Sequence, residues 1–151
     1  MSCWCHVGVV SVSCSVGCLL HLVPLFTLRS FVGAILACKQ AGMQIATINS
    51  LNQQNLVEST IKEADDYSTN GYWIGAAAEV MYAEMEDFYW VNTGLKLTFM
   101  NWGSTQPIFN PFNLHTGICV RVGNYYKVNE PYLWENFDCN AEQLYICETD
   151  L

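Results

Sequence analysis

The chain has 151 residues, enough for one domain with a hydrophobic core, and carries a formal net charge of -8 at pH 7. It has only six Lys and Arg residues in total, so it lacks the clustered cations that nucleic-acid phosphates require, and we expect no nucleic-acid partner. Its eight cysteines without paired C-x-x-C knuckles favour disulfides over zinc, which predicts a secreted or extracellular protein.

The first 28 residues form an apolar segment that contains no Asp, Glu, Lys or Arg. Its apolar run from Val7 to Leu22, with small residues at 13–18, is typical of a signal peptide, although no basic residue precedes the run. Two alternatives stay open: a signal anchor at a membrane, which Pro24 would interrupt, and an aberrant N-terminus. We assign no structural role to the four cysteines of this segment, Cys3, Cys5, Cys14 and Cys18.

Two helices and a strand are predicted next by their periodicity. Ser30–Ala41 places apolar residues at helical spacing before a glycine, which predicts a buried helix that carries Cys38. Met43–Ile48 alternates as a short strand. The run Ser50-Leu-Asn-Gln53 has the form of a capping box and begins a second helix that extends to about Glu63.

Two aromatic runs predict strands in the middle of the chain. Tyr72–Gly75 is rich in β-forming residues and is predicted as a core strand. The acidic stretch at 79–87 is explained by solvation, and an accessory calcium site is the alternative. Phe88–Val91 returns to strand and leads into the turn Asn92-Thr-Gly94.

A long irregular section follows Trp102. Residues 103–117 contain Pro and Gly breakers and no predicted element. Because a loop of this length in a compact domain usually serves binding, we place the candidate site there. Phe109 and Phe112 predict an apolar tip of the kind that binds proteins.

The last third of the chain contains three cysteines in strand-like surroundings. Cys119 and Cys139 can close a short loop around Trp134, whereas Cys147 needs a distant partner, for which Cys38 is the obvious candidate. In the chain-entropy model, closing a loop of roughly 20 residues stabilises a fold by about 3 kcal/mol, and closing one of roughly 110 residues by about 4 to 5 kcal/mol.

An ordered series of short motifs resembles the C-type lectin domain family. The motifs are Cys38, W-I-G at 73–75, F-Y-W-V with N-T-G at 88–94, N-W at 101–102, Q-P at 106–107, C-V at 119–120, W-E-N-x-x-C at 134–139 and Y-I-C-E at 145–148. The resemblance implies an α+β domain at residues 30–150, in which two helices pack against small antiparallel sheets below a long irregular loop. It also implies the bridges Cys38–Cys147 and Cys119–Cys139.

The resemblance further implies a degenerate calcium site. Sugar-binding members hold one calcium with a Glu-Pro-Asn or Gln-Pro-Asp loop, a Glu before the third landmark cysteine, and the Asn and Asp of W-N-D, because this cation takes about six to eight oxygens. Gln106-Pro107 matches the beginning that the family associates with galactose-type sugars. Ile108 and Gly117 offer no side-chain oxygen, and Glu135-Asn136 replaces Asn-Asp. No metal ligand is assigned; the candidate ligand-binding residues are Gln106, Asn110, Glu135 and Asn136.

Two functions are compatible with these residues. One is a secreted lectin-like protein that binds carbohydrate, and the other is a calcium-independent protein-binding module that uses the loop 103–117. We expect no enzymatic activity, because His115 stands alone and Cys119 is expected to be bridged. Trp102 and Trp134 are predicted as core residues beneath the loop. We expect a membrane contact only if residues 1–28 are an uncleaved anchor.

Overall fold

The protein combines two helices with seven strands in the part of the chain that the structure, a computed structural model, describes: residues 20–22, 27–63, 70–78, 87–109, 118–123 and 132–149. This is the predicted α+β class. The elements are β1 (Leu20–Leu22), α1 (Phe31–Gln40), β2 (Gln44–Ile45), α2 (Leu51–Glu63), β3 (Tyr72–Ala78), β4 (Tyr89–Trp90), β5 (Ile118–Val122), β6 (Trp134–Asp138) and β7 (Leu144–Glu148).

Helix α1 begins where the sequence supplies a cap. The Ser30 Oγ accepts a hydrogen bond from the Gly33 N–H at 3.2 Å, which satisfies one of the first-turn amides that have no partner within the helix. The helix buries Cys38 and is followed by Gly42, whose φ of 73° is the left-handed conformation that glycine adopts without steric cost. The predicted helix is confirmed, with each end shifted inward by a single residue.

Helix α2 begins with a capping box that differs by one residue from the predicted form. The Gln53 N–H donates to the Ser50 Oγ at 3.2 Å, as the motif requires. The Gln53 side chain, however, accepts from the N–H of Asn49 at 2.6 Å, one residue before the cap. The helix ends at Glu63, as predicted.

The strands form one connected sheet in the order β1-β7-β3-β5-β6, with β2 added beside β7 and β4 beside β3. Strands β3 and β7 run parallel, and the other pairings among the described strands are antiparallel. The resemblance implied small antiparallel sheets, and this parallel pair joins them. Strand β7 is central because β1, β2 and β3 all pair with it.

The strand predicted at Met43–Ile48 is shorter than expected, because only Gln44–Ile45 pairs regularly. Beyond this pair the chain passes between two strands, since the Ala46 N–H donates to the Ile146 carbonyl at 2.9 Å and the Ala46 carbonyl accepts from the Gly75 N–H at 2.8 Å. A Cβ at Gly75 would lie 2.9 Å from a methyl group of Ile45, so glycine permits the close approach.

Three residues of the apolar N-terminal segment belong to the sheet. Strand β1 pairs with β7, with Leu20 opposite Glu148 and Leu22 opposite Ile146. The assignment of residues 1–28 to a signal peptide or anchor stays a prediction. Its four cysteines lie outside the described residues, as do 79–86 of the acidic stretch. Among the described helices, none is long and apolar enough to cross a membrane.

One part of the core, here called the base cluster, lies where the two ends of the domain meet. Its buried side chains are Phe31, Ala34, Cys38, Met43, Ile45, Trp73, Cys119, Tyr145 and Cys147. Trp73 is fully buried, meets the Phe31 ring edge-on at 5.7 Å between centroids, and donates its Nε1–H to the Arg29 carbonyl at 2.9 Å. The disulfides Cys38–Cys147 and Cys119–Cys139 are the pairs that the resemblance implies.

A second part of the core, here called the loop cluster, is built around Trp134. Its ring lies nearly perpendicular to those of Trp90, Phe99 and Trp102, at centroid distances of 6.0, 5.9 and 5.8 Å. The Trp134 Nε1–H donates to the Gln54 Oε1 at 2.8 Å, which links the cluster to α2. The predicted core position of Trp134 is confirmed, and Trp102 is partly buried against it.

Candidate functional site

The candidate site lies where the irregular chain around Trp102 meets the beginning of β6. The Trp134 N–H donates to the Asn101 carbonyl at 2.8 Å, and the Gly103 N–H donates to the Trp134 carbonyl at 3.0 Å. Because of these bonds, the chain around Trp102 lies parallel to the beginning of β6 for a short distance. Residues 103–109 are therefore placed beside the W-E-N motif.

Asn136 joins β6 to this loop through both ends of its side-chain amide. The Asn136 Oδ1 accepts from the Ile108 N–H at 2.7 Å, and the Asn136 Nδ2 donates to the Ile108 carbonyl at 2.6 Å. The Asn136 backbone N–H donates to the Gln106 Oε1 at 3.2 Å. We call these three hydrogen bonds the amide clamp. Asn136 is only 7% exposed, so the three bonds are partly buried on the side of β6.

Glu135 points away from the loop, because successive side chains of a strand lie on opposite sides. Its Oε2 accepts from the Nη2 and Nε of Arg121 on β5, at 3.0 and 3.2 Å. The side chains of Arg121 and Glu135 are 15% and 8% exposed, so the ion pair is largely buried. Arg121 also donates to the Gln143 Oε1 at 2.7 Å and lies 3.6 Å above the Phe137 ring. Glu135 is thus part of the sheet's internal bonding.

The four predicted ligand-binding residues are not all brought together. Gln106 and Asn136 meet in the amide clamp, whereas Glu135 lies on the other side of β6. Grouping Glu135 with the other two overlooked the alternation along the strand. Asn110 lies outside the described residues, as do Phe112, His115 and Gly117. That any of the four contacts a ligand stays a prediction.

The groups at this position do not fit a calcium ion, which requires about six to eight oxygens, several of them from carboxylates. The Asn136 Oδ1 is engaged by the Ile108 N–H, and its Nδ2 occupies the space before the Ile108 carbonyl. The carboxylate of Glu135 is held by Arg121. Throughout the described parts of the chain, no group of at least three His, Cys, Asp or Glu residues is placed to hold a metal ion.

Beyond the clamp, the described part of the loop exposes two apolar side chains and no charged one. Ile108 and Phe109 are 44% and 36% exposed. The Phe109 ring lies 6.1 Å from that of Phe88, which in turn packs at 4.8 Å against Trp102, so the tip rests on the loop cluster. Residues 97–120 contain no Asp, Glu, Lys or Arg, although the chain carries a net charge of -8. This run could have been recognised from the sequence.

Sequence reasoning missed Arg121 and the backbone of Ile108. Arg121 stands directly opposite Glu135 in the register of β5 and β6. A single cation within the apolar run C-V-R-V was the available signal, because a charged residue in a buried strand needs a partner. The bonds to the Ile108 backbone had no such signal, since they do not depend on its side chain.

The fold and the site define a disulfide-stabilised α+β domain with an irregular loop fixed to a small sheet. The family model for the "Lectin C-type domain" matches residues 27–149. The chain therefore belongs to the C-type lectin domain family.

The chain is 30% identical over 116 residues to "Lectin subunit alpha" of Sarcophaga peregrina, covering 74% of this chain but only 38% of that protein. It is 26% identical over 123 residues to "Salivary C-type lectin 1" of Aedes albopictus, covering 79% of this chain and 75% of the relative. The solved structure of the "Ca2+-independent C-type lectin SPL-2 from Saxidomus purpuratus" superposes with a TM-score of 0.62 at 24% identity, covering 82% of this chain and 81% of that one. At this identity the structural likeness shows the fold.

Proposed function

We propose that the chain is an extracellular, calcium-independent binding module whose ligand contacts the apolar tip at Ile108 and Phe109. The amide clamp is the observation that carries this proposal, because it engages the Asn136 amide with the protein's own backbone. A cation at this position would have to displace those bonds, and Glu135 would have to leave Arg121. The bonds within the protein at residues 106–108 therefore support a loop that needs no cation.

A neutral glycan is the first ligand class of this proposal. The loop offers apolar area at Phe109 and amide groups such as Gln106, and residues 97–120 carry no formal charge that would select an ionic ligand. The relatives from Sarcophaga and Aedes are described as lectins, which supports a sugar ligand and the absence of enzymatic activity. The description of the Saxidomus protein as independent of Ca2+ supports binding without the cation. The Gln106-Pro107 pair favours galactose-type sugars within this class.

A protein ligand is the second candidate. The exposed side chains of Ile108 and Phe109 favour it, because apolar and aromatic residues that rest on a rigid core are typical anchors of protein interfaces. An uncharged loop tip of this kind is compatible with either ligand, so binding to the two classes must be measured separately.

A glycan array read in calcium and in chelator tests the proposal. We expect equal retention on neutral, galactose-type glycans in both buffers, because the loop requires no cation. Phe109→Ala should lower retention about tenfold, the equivalent of about 1.4 kcal/mol. Leu95→Ala is the matched control, since Leu95 is also exposed and apolar but lies in the turn that follows β4. Retention that requires calcium would contradict the proposal, and binding only to proteins would favour the second candidate.

The extracellular location is supported by the two disulfides, because the cytosol keeps most thiols reduced. N-terminal sequencing of protein recovered from the medium of expressing cells tests it. We expect the mature chain to begin between Cys14 and Leu20, so that the cleaved segment is shorter than the 28 residues predicted from the sequence, because Leu20 pairs with Glu148 in the sheet. Intact Met1 on a membrane-bound product would instead favour the anchor.

A further inference from the structure

We infer that Asn136 is a positioning residue. Its side chain holds the loop in place at Ile108, so that no cation is needed to do so. The inference rests on the proposed function, since the position of this loop matters for binding only if the loop carries the ligand. One amide side chain, that of Asn136, thereby connects β6 to the backbone of Ile108.

The geometry of the clamp fixes both the position and the orientation of the loop. A side-chain amide offers one acceptor and two donor hydrogens in one plane. Asn136 directs the acceptor and a donor at the N–H and the carbonyl of the same residue, Ile108, much as two residues of an antiparallel ladder exchange bonds. Two bonds to one residue prevent the loop from rotating about either of them. The third bond, to the Gln106 Oε1, extends the hold to a neighbouring residue.

Burial makes the clamp difficult to replace. Because Asn136 is 7% exposed, losing its amide would leave the Ile108 N–H and carbonyl without partners on the side of the loop that faces β6. Unpaired buried backbone groups are strongly disfavoured, so the loop would have to move to find other partners.

The identity of the side chain decides whether a cation is needed. Asparagine places a donor 2.6 Å from the Ile108 carbonyl oxygen. An ionised carboxylate of the same shape would place a negative oxygen there, and two facing oxygens repel unless a proton or a cation lies between them. With an amide at this position the loop is held by its own hydrogen bonds. With an ionised carboxylate it would need a proton or a cation between the two oxygens.

Among the described residues, no charged side chain contacts the Asn136 amide. The loop residues 97–109 contain none, and the partner of Asn136 on β5 is Val120. On β6, Glu135 faces Arg121 on the opposite side, and Asp138 is exposed at the end of the strand, where its Oδ1 accepts from the Asn140 N–H.

Hydrogen exchange measured by mass spectrometry on peptides within residues 101–109, without ligand and in chelator, tests the inference. At pH 7.5, Asn136→Asp should exchange about tenfold faster than the wild type, a ratio that corresponds to about 1.4 kcal/mol. At pH 4.5, after correction for intrinsic rates, this excess should shrink, because burial opposite the Ile108 carbonyl raises the pKa of the introduced carboxyl above its ordinary value and its protonated form can again donate to that carbonyl. Asn136→Leu should exchange fast at both values, because it can neither donate nor accept.

Asn55→Asp is the matched control, since it makes the same amide-to-carboxylate change at an exposed position of α2; it should match the wild type. The inference would be overturned if Asn136→Asp exchanged at the wild-type rate at pH 7.5. It would also be overturned if the wild type exchanged slowly only when calcium was added. If the Asn136 variants do not fold, Gln106→Leu removes one bond of the clamp without adding charge; an unchanged exchange rate there would also overturn it. Because no ligand is present, failure of this test is distinct from failure to retain glycans.

Discussion

The base cluster and the loop cluster are held together by different kinds of interaction. The base cluster contains Cys38, Cys119 and Cys147, so covalent bridges close the region where the ends of the domain meet. The loop cluster depends on aromatic packing around Trp134, and the loop above it depends on the hydrogen bonds of Asn136. The comparison indicates that the disulfides secure the fold, whereas non-covalent bonds set the shape of the candidate site.

The largest expected effect on stability comes from removing the disulfide Cys38–Cys147 in the base cluster. Replacing Cys38 and Cys147 together by alanine should lower the free energy of unfolding by about 4 to 5 kcal/mol, because the bridge closes a loop with a sequence separation of 109 residues. Denaturant unfolding measures the loss. The matched pair Cys119→Ala with Cys139→Ala should cost less, about 3 kcal/mol, since its separation is 20 residues. Equal losses in the free energy of unfolding for the two pairs would contradict the larger contribution expected from Cys38–Cys147.

The next effect tests packing within the base cluster. Trp73→Ala should cost roughly 3 to 5 kcal/mol, because it removes a fully buried aromatic side chain that contacts Phe31. Exchange in the loop peptides 101–109 should stay close to that of the wild type, provided the variant remains folded. A change of only a degree or two in melting temperature would show that Trp73 is not a core residue.

A smaller effect tests whether the Glu135 carboxylate stabilises the sheet or is available to bind a ligand. Arg121→Leu should cost about 3 kcal/mol, because it leaves Glu135 buried without its main partner. Adding Glu135→Leu should recover most of that loss, since an apolar pair of similar size replaces the buried charges. Thermal melts of the single and double variants measure this difference. Failure of the second substitution to recover stability would contradict the internal role of Glu135.

The sequence predicted the base of the domain better than the site. Helix α1, its serine cap and the strand containing Trp73 follow from local patterns, because apolar spacing and first-turn hydrogen bonds involve residues close in sequence. The positions of the cysteines and the motif series both indicated the disulfide pairs, which connect residues far apart along the chain.

The bonds of the site could not be predicted, because they depend on non-local register. Arg121 meets Glu135 only through the pairing of β5 with β6, across a connection that has no periodic pattern. Asn136 meets Ile108 where an irregular loop returns to the sheet, and the bonds are made to backbone atoms that every residue except proline possesses. Residue type alone therefore suggested a damaged calcium site, whereas the structure shows three hydrogen bonds between Asn136 and the loop.

The most direct test of a loop that needs no calcium is a thermal melt of the wild-type protein in millimolar calcium and in chelator at equal ionic strength. A ligand that binds only the folded state at 100 times its Kd adds about 2.7 kcal/mol of stability, which corresponds to several degrees for a domain of this size. We expect no change in melting temperature, because Asn136 and Glu135 are engaged by Ile108 and Arg121. A calcium-dependent rise of several degrees that Asn136→Leu abolishes would place the cation at this site and contradict the account.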